Sequence, residues 1–347
     1  MEPVTHALTS LVVARAAQKR LPRYGTAMLV AAGVAPDLDY ASYLGGASSF
    51  LRFDRTLLHS LPSSILLACA IAAAFCVFAR NRDEVHGGAD VSGAEKLRFA
   101  AAFIVCAIGV AGHLLLDLVS GVGVQLLWPF RTRWAAFDLL TELDPWILIL
   151  LGAGLLLPML LRLVGEEIGE RKKRGGGQRG AIATLVLLLV YIGTRGLLHS
   201  RAVELLDSHD YHGRAPFAVG AFPASSTPLV WRGVVSTDNT IELVEVPLGP
   251  GTEFDSERSV THYKPEESSA LEAGEHAAAT RRFLEYARFP LATVVRAEAG
   301  YRFELRDARF EENDGSPANI LVRVEIREEN QALRIASEEF LFARSRN

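Results

Sequence analysis

Four runs with few or no charges stand out in the first two hundred residues: Leu61–Ala79, Phe99–Leu116 interrupted only by His113, Pro145–Leu161, and Gly180–Thr194. Each approaches the roughly 20 residues that carry a helix across a hydrocarbon core about 30 Å thick, so the pattern predicts four transmembrane spans. Two shorter apolar stretches, Ala7–Ala14 and Thr26–Pro36, are separated by Arg15, Lys19, Arg20 and Arg23. They predict a short helical hairpin or a re-entrant pair. Beyond residue 200 the periodicity changes: Leu229–Thr237, Thr240–Pro247, Pro290–Ala297, Tyr301–Arg309, Asn319–Glu328 and Ala332–Phe342 alternate or run β-branched, with one amphipathic helix expected over Ser268–Arg288. The expected fold is therefore an α-helical polytopic membrane domain over residues 1–200, four spans plus a short N-terminal helical hairpin, followed by a small soluble α+β domain over 201–347.

Composition sharpens this division. Half of the 347 residues are hydrophobic and 22% are charged, with a mean hydropathy of +0.20, too apolar for an ordinary soluble enzyme. Residues 1–200 hold 19 Lys and Arg against 15 Asp and Glu, whereas residues 201–347 hold 17 against 25. Neither part has the basic excess that a phosphate backbone requires, which excludes nucleic acid as a partner. Cys69, Cys76 and Cys106 lie inside apolar runs and none belongs to a CxxC, leaving no disulfide framework and no thiolate zinc site. No basic region precedes an apolar core at the start, so no cleavable signal peptide is expected.

The short loops give an orientation. Arg15, Lys19, Arg20, Arg23, Arg80, Arg82, Lys96, Arg98, Arg162, Arg171, Lys172, Lys173, Arg174 and Arg179 fall on one side; Arg52, Arg55, Arg131, Arg133, Arg195 and Arg201 fall on the other. The basic side is expected in the cytoplasm of a bacterial inner membrane, with the domain after residue 200 extracytoplasmic. RKKRGGGQRG at 171–180 reads as a flexible basic anchor beside anionic lipid.

A sparse set of ionisable residues stands inside or at the edge of the apolar part: His6, Asp37, Asp39, Asp54, His59, His113 and Asp117. A charge near mid-membrane costs at least about 2.5–3.5 kcal/mol on insertion scales, so such residues tend to be paired, coordinated or functional. At 1.5 Å per residue, His113 and Asp117 stand about 22 and 28 Å from the cytoplasmic end of their helix, in the outer half of the bilayer. The predicted topology brings His6, Asp37, Asp39 and His59 to the same level. His113 and Asp117 are i, i+4 on one helix face and can reach one ion. In APDLDY, an i, i+2 pair in extended chain turns Asp37 and Asp39 to opposite sides, so one can ligate while its neighbour holds a histidine. Three His and three Asp without Cys form a nitrogen and oxygen donor set suited to Zn²⁺, with Mn²⁺ or Fe as alternatives. Each residue also has a plainer role open to it: His6 as a helix-start residue, His59 as a cap with Ser60, Asp54 as a partner of Arg55. Asp144 ahead of Pro145 reads as a structural N-cap.

THAL at 5–8, PDLD at 36–39, DRTLLHS at 54–60 and GHLLLDLVSGVGVQLLWPF at 112–130 resemble, in order and approximate spacing, the YdjM/YfhP family of bacterial inner-membrane proteins, for which metal-dependent hydrolysis is the ascribed activity and no substrate is named. DPW at 144–146 resembles the longer members. The resemblance covers residues 3–150 well and the tail poorly. It implies a metal site of His6, Asp37, Asp39, His59, His113 and Asp117. Where many members read HRGxTHS this chain has Asp54 in place of the first histidine, a carboxylate for an imidazole.

The leading expectation is a membrane-bound, divalent-metal-dependent hydrolase acting on a phosphoester or other ester, lipid esters included, at the outer face of the membrane. Asp37 or Asp39 would receive the proton of the attacking water, and Arg131 and Arg133 would hold a phosphate, with Trp128, Phe130 and Trp134 forming an interfacial belt. The alternatives are a transporter or ion pathway using intramembrane His and Asp, and a non-catalytic assembly protein with a structural metal.

Overall fold

The computed structural model describes residues 1–85, 97–167, 176–224, 227–311, 319–329 and 332–342. Lys96, Arg171, Lys172, Lys173 and Arg174, on which part of the expected orientation rests, lie outside the described residues. The chain divides into two compact units, Met1–Asp39, Arg55–Arg131 and Ala135–Thr194 in the first, Tyr40–Asp54, Thr132–Trp134 and Arg195–Asn347 in the second.

The first unit is helical. Helices α1 (Pro3–Ala17) and α2 (Gly25–Val34) form the expected N-terminal hairpin, followed by α4 (Leu61–Val85), α5 (Phe99–Leu118), α6 (Pro145–Glu167) and α7 (Gly176–Asp207), which continues into the second unit. Among the described residues three helices are long and apolar enough to cross a membrane: Leu61–Val85, Phe99–Leu118 and Gly177–Asp207. The fourth expected span, Pro145–Leu161, is an apolar helix below that length among the described residues. In α5, 44% of the most apolar window is buried, against 17% in α4 and 22% in α7, so α5 is the inner helix of the unit. Large apolar side chains instead face outward on α4 (Ile65, Leu66, Phe78), α6 (Ile149, Leu157) and α7 (Val186, Leu189). Such a surface is costly in water and suits a hydrocarbon environment.

Small residues let the inner helices approach. Ala14, Ala32, Ala68, Ala72, Ala102 and Cys106 fill the core shared by α1, α2, α4 and α5. A Cβ on Gly109 would stand 2.8 Å from the Leu29 carbonyl oxygen and 2.9 Å from the Ala32 Cβ, and one on Gly33 would stand 2.0 Å from Ser10 Oγ. Gly109 is therefore required by close backbone packing, whereas Gly33 makes room for the Ser10 side chain. Asp144 caps α6 as its sequence suggests: Oδ1 accepts the Trp146 and Ile147 amides at 3.0 and 3.2 Å, and Oδ2 accepts the Tyr191 hydroxyl at 3.1 Å.

The second unit carries two four-stranded antiparallel sheets with strand orders β1-β2-β3-β4 and β5-β6-β7-β8. Six strands fall where alternation predicts them: β2 (Val230–Ser236), β3 (Thr240–Pro247), β5 (Pro290–Ala297), β6 (Gly300–Asp307), β7 (Ile320–Glu329) and β8 (Ala332–Phe342). Two edge strands are additional, β1 (Ala218–Pro223) and β4 (Val260–Tyr263). The single helix expected over Ser268–Arg288 is two, α8 (Ser269–Glu275) and α9 (Ala278–Leu284), because Ala277 takes ψ 144° and breaks the run. A short helix α3 (Ala47–Phe53) belongs to this unit, where Phe50 and Tyr43 pack on Phe342. Arg195 is buried, its guanidinium 4.1 Å above the ring of the fully buried Trp231.

Candidate metal centre

Six of the sequence-selected residues meet inside the first unit, delivered by four segments. His6 stands on α1, whose first turn is closed by Glu2 accepting the Thr5 amide at 3.0 Å. His59 ends the loop before α4, and its neighbour Ser60 does the capping, accepting the Ser63 amide at 3.4 Å. His59 is thereby left to the cluster. His113 and Asp117 lie on one face of α5, a turn apart, with His113 Nε2 3.2 Å from Asp117 Oδ2.

Asp37 and Asp39 lie in a 3-10 helix, Ala35–Gly45, rather than in the extended chain expected. Pro36 is accommodated in the first turn of that helix, where its missing amide costs nothing. At three residues per turn an i, i+2 pair still diverges, and the two carboxylates do separate. Asp37 Oδ1 lies 3.7 Å from His113 Nε2. Asp39 turns away to accept the Leu58 amide at 2.9 Å and to meet His59 Nδ1 at 3.1 Å.

Backbone and carboxylate acceptors hold two of the rings by Nδ1. His113 Nδ1 lies 2.8 Å from the Gly33 carbonyl, which only accepts, so Nδ1 donates there and Nε2 is the atom that the ring turns to the cluster. The Asp39 carboxylate holds His59 by Nδ1 in the same way and turns its Nε2 to the cluster. These two Nε2 atoms face each other at 3.0 Å, and each is within 3.2 Å of Asp117 Oδ2. His6 stacks on His113 with ring centroids 3.7 Å apart and places Nε2 3.2 Å from Asp117 Oδ1.

Imidazole nitrogens and carboxylate oxygens from separate segments therefore converge within about hydrogen-bond distance of one another. His6 Nδ1 and Asp37 Oδ2 are buried without a hydrogen-bond partner, an arrangement costing several kcal/mol per group unless a cation or proton is supplied. His6, His59 and His113 are each about 1% exposed and Asp117 is fully buried. One ligand atom from each of His6, Asp37, His113 and Asp117 lies within 4.8 Å of the others. The all-nitrogen and oxygen set, its proximity and its orphaned acceptors fit a divalent metal ion. The Met1 amine and the Arg55 guanidinium, 3.7 Å away, lie on Asp117 Oδ1.

Arg55 is the neighbour that sequence reasoning missed, having been read as a partner of Asp54 on a loop; its place four residues before His59 in DRTLLHS was the available signal. Arg131 and Arg133 are exposed. Trp134 packs edge-on against Tyr286 in the second unit, whereas Phe130 is 81% exposed. The tail histidines are engaged separately: His209 Nδ1 with the Leu205 carbonyl at 2.8 Å, His212 Nδ1 with Glu257 at 3.2 Å, and His276 Nδ1 with the Glu272 carbonyl at 2.8 Å.

A family model described as YdjM inner membrane protein matches residues 1–202, more than half of the chain. The chain belongs to the YdjM family. It is also similar to the uncharacterized protein YfhP of Bacillus subtilis strain 168, with 25% identity over 120 residues, 35% of this chain and 32% of that relative. The match thus spans about a third of the relative's length. No solved structure matches.

Proposed function

We propose that this YdjM-family protein is a multi-pass inner-membrane hydrolase that uses a divalent metal, zinc before manganese or iron, to cleave a phosphoester or related ester at the outer face, with its second unit outside the cytoplasm. The observation that carries the reading is the 3.0 Å approach of two imidazole Nε2 atoms beside Asp117, each ring having its Nδ1 committed to an acceptor. His6, Asp37, His59, His113 and Asp117 would hold the ion. When bound, it supplies Lewis acidity and water acidified toward neutrality.

The chain's own groups divide the remaining work. Asp39 holds the His59 ring in register through Nδ1 and is itself held by the Leu58 amide. Asp37 is freer, with a ligand-side Oδ1 and a buried Oδ2 lacking a hydrogen-bond partner, so it takes the proton of the attacking water. Its side chain is 14% exposed while those of His6, His113 and Asp117 are at most 1% exposed, so water and substrate enter on the Asp37 side.

The same burial favours a second reading, a closed structural metal site without turnover, since such sites keep no open position. Metal analysis of detergent-purified protein, followed by a phosphatase and lipase panel with and without chelator, separates the two. Chelator-reversible hydrolysis supports the enzyme; bound metal with no turnover of any ester supports the structural site; protein without metal defeats both.

A further inference from the structure

Arg55 sits where a loop arginine is costly. It is 7% exposed and its backbone takes the left-handed region at φ 52°, which a non-glycine residue adopts only when the surroundings enforce it. Its carbonyl accepts the Gln125 amide at 3.2 Å. Ser120, whose hydroxyl donates to the Asp117 carbonyl at 2.7 Å, accepts Arg55 Nη1 at 3.2 Å. Nη1 is also 3.7 Å from Asp117 Oδ1, and Nη2 donates to Glu142 Oε1 at 3.0 Å.

One guanidinium thus bridges two unlike carboxylates. Asp117 is buried in the candidate metal centre, while the Glu142 side chain is 38% exposed. A guanidinium is permanently charged, and its planar fork accepts carboxylate and phosphate oxygens in the same geometry. Glu142 is the solvent-reachable end of the pair, its side chain 38% exposed against 9% for Arg55, so an incoming oxyanion can take the place of its carboxylate and keep the buried guanidinium paired. The oxyanion would then lie one guanidinium width from a ligand of the candidate metal.

From this juxtaposition, and resting on the metal centre proposed above, we infer that Arg55 is the residue that reads an anionic substrate, a phosphate ester, and that Glu142 holds its place until the substrate arrives. A merely structural Arg55–Glu142 pair would make the two residues equivalent. A placeholder makes them opposite: loss of Arg55 weakens oxyanion binding, and loss of the Glu142 charge strengthens it.

The test uses the full chain in detergent, loaded with Co²⁺, with inorganic phosphate titrated against the cobalt visible spectrum and followed by ³¹P line broadening. Arg55→Gln should weaken phosphate binding about 10- to 100-fold, the worth of one charged hydrogen bond, at unchanged cobalt stoichiometry, with partial recovery in Arg55→Lys. Glu142→Gln should tighten phosphate binding several-fold, and this arm decides alone if the Arg55 variants fail to fold. Phosphatidic acid in the micelle displacing phosphate where glycerol phosphate does not assigns the ester to a lipid headgroup; equal competition assigns it to a soluble ester. A native chain that takes up no cobalt overturns the metal reading itself. Cobalt binding with no tightening in Glu142→Gln overturns the role of Arg55.

Discussion

Asp39 Oδ2 lies 3.1 Å from His59 Nδ1 while accepting the Leu58 amide at 2.9 Å, so one carboxylate fixes both the loop and the ring that it presents. Its neighbour Asp37 reaches the cluster directly, 3.7 Å from His113 Nε2. Loss of an orienting partner typically costs about 10- to 100-fold in metal affinity. Asp39→Asn is therefore expected to lower affinity by that order without abolishing the site, as measured by competition with a chromophoric chelator. Undiminished affinity would show that His59 needs no such support.

Removing a ligand is a larger change than removing its support. His113→Ala and Asp117→Ala each delete a donor from the middle of the cluster, and metal content by elemental analysis should fall to background in both. His276→Ala, on the tail between α8 and α9, should retain the native metal content. Equal content in all three variants would place any bound metal elsewhere.

Much of this cluster is readable in the chain because its logic is local. The i, i+4 spacing of His113 and Asp117 on an apolar helix fixes a shared face, and the cost of charge in an apolar run selects the same residues. The divergence of Asp37 and Asp39 is also readable, although from a backbone that proved to be a 3-10 turn rather than extended. Arg55 is different: beside Asp54 it looks like half of a solvated ion pair, and only the tertiary approach of Ser120 and Glu142 buries it. The two unforeseen strands are sheet edges with weak local signals, β1 containing Gly220 and ending in Pro223, and β4 only four residues long. The break in the helix at Ala277 follows no glycine or proline at that position, so its periodicity alone concealed it.

Gly109 tests whether helix packing positions the site. A methyl group there would meet the Leu29 carbonyl oxygen at 2.8 Å and the Ala32 Cβ at 2.9 Å, forcing α2 away from α5 and withdrawing the Gly33 carbonyl from His113 Nδ1. Gly109→Ala is expected to destabilise the protein by about 1–3 kcal/mol, seen as a lower thermal midpoint in detergent, and to weaken metal binding. Gly152→Ala, where a Cβ meets nothing within 4 Å, is the matched control and should do neither.

The proposed orientation rests on the fourteen-to-six division of Lys and Arg between the two expected faces. A reporter that is active only in the cytoplasm, fused after Phe342, should stay silent, and one that needs export should be active. The opposite pair of results would move the second unit, and the proposed site, to the inner face.

Depth then sets what can reach the site. In the proposed orientation the ligands stand about 22–28 Å from the cytoplasmic end of their helix, where a soluble ester would have to leave water and a lipid headgroup would already be at that level. In the loop that follows α5, Phe130 is 81% exposed and Arg131 and Arg133 are exposed, which in the proposed reading suits collection of anionic headgroups. Metal-dependent turnover is expected to be faster on an amphipathic phosphoester in mixed micelles than on a water-soluble one. Arg131→Ala combined with Arg133→Ala should raise the apparent KM for the micellar ester several-fold while leaving both the metal content and kcat unchanged, because these side chains collect substrate rather than bind it at the reacting centre. Hydrolysis of soluble esters at least as fast as micellar ones, indifferent to the double substitution, would reject a lipid substrate and leave the metal centre standing.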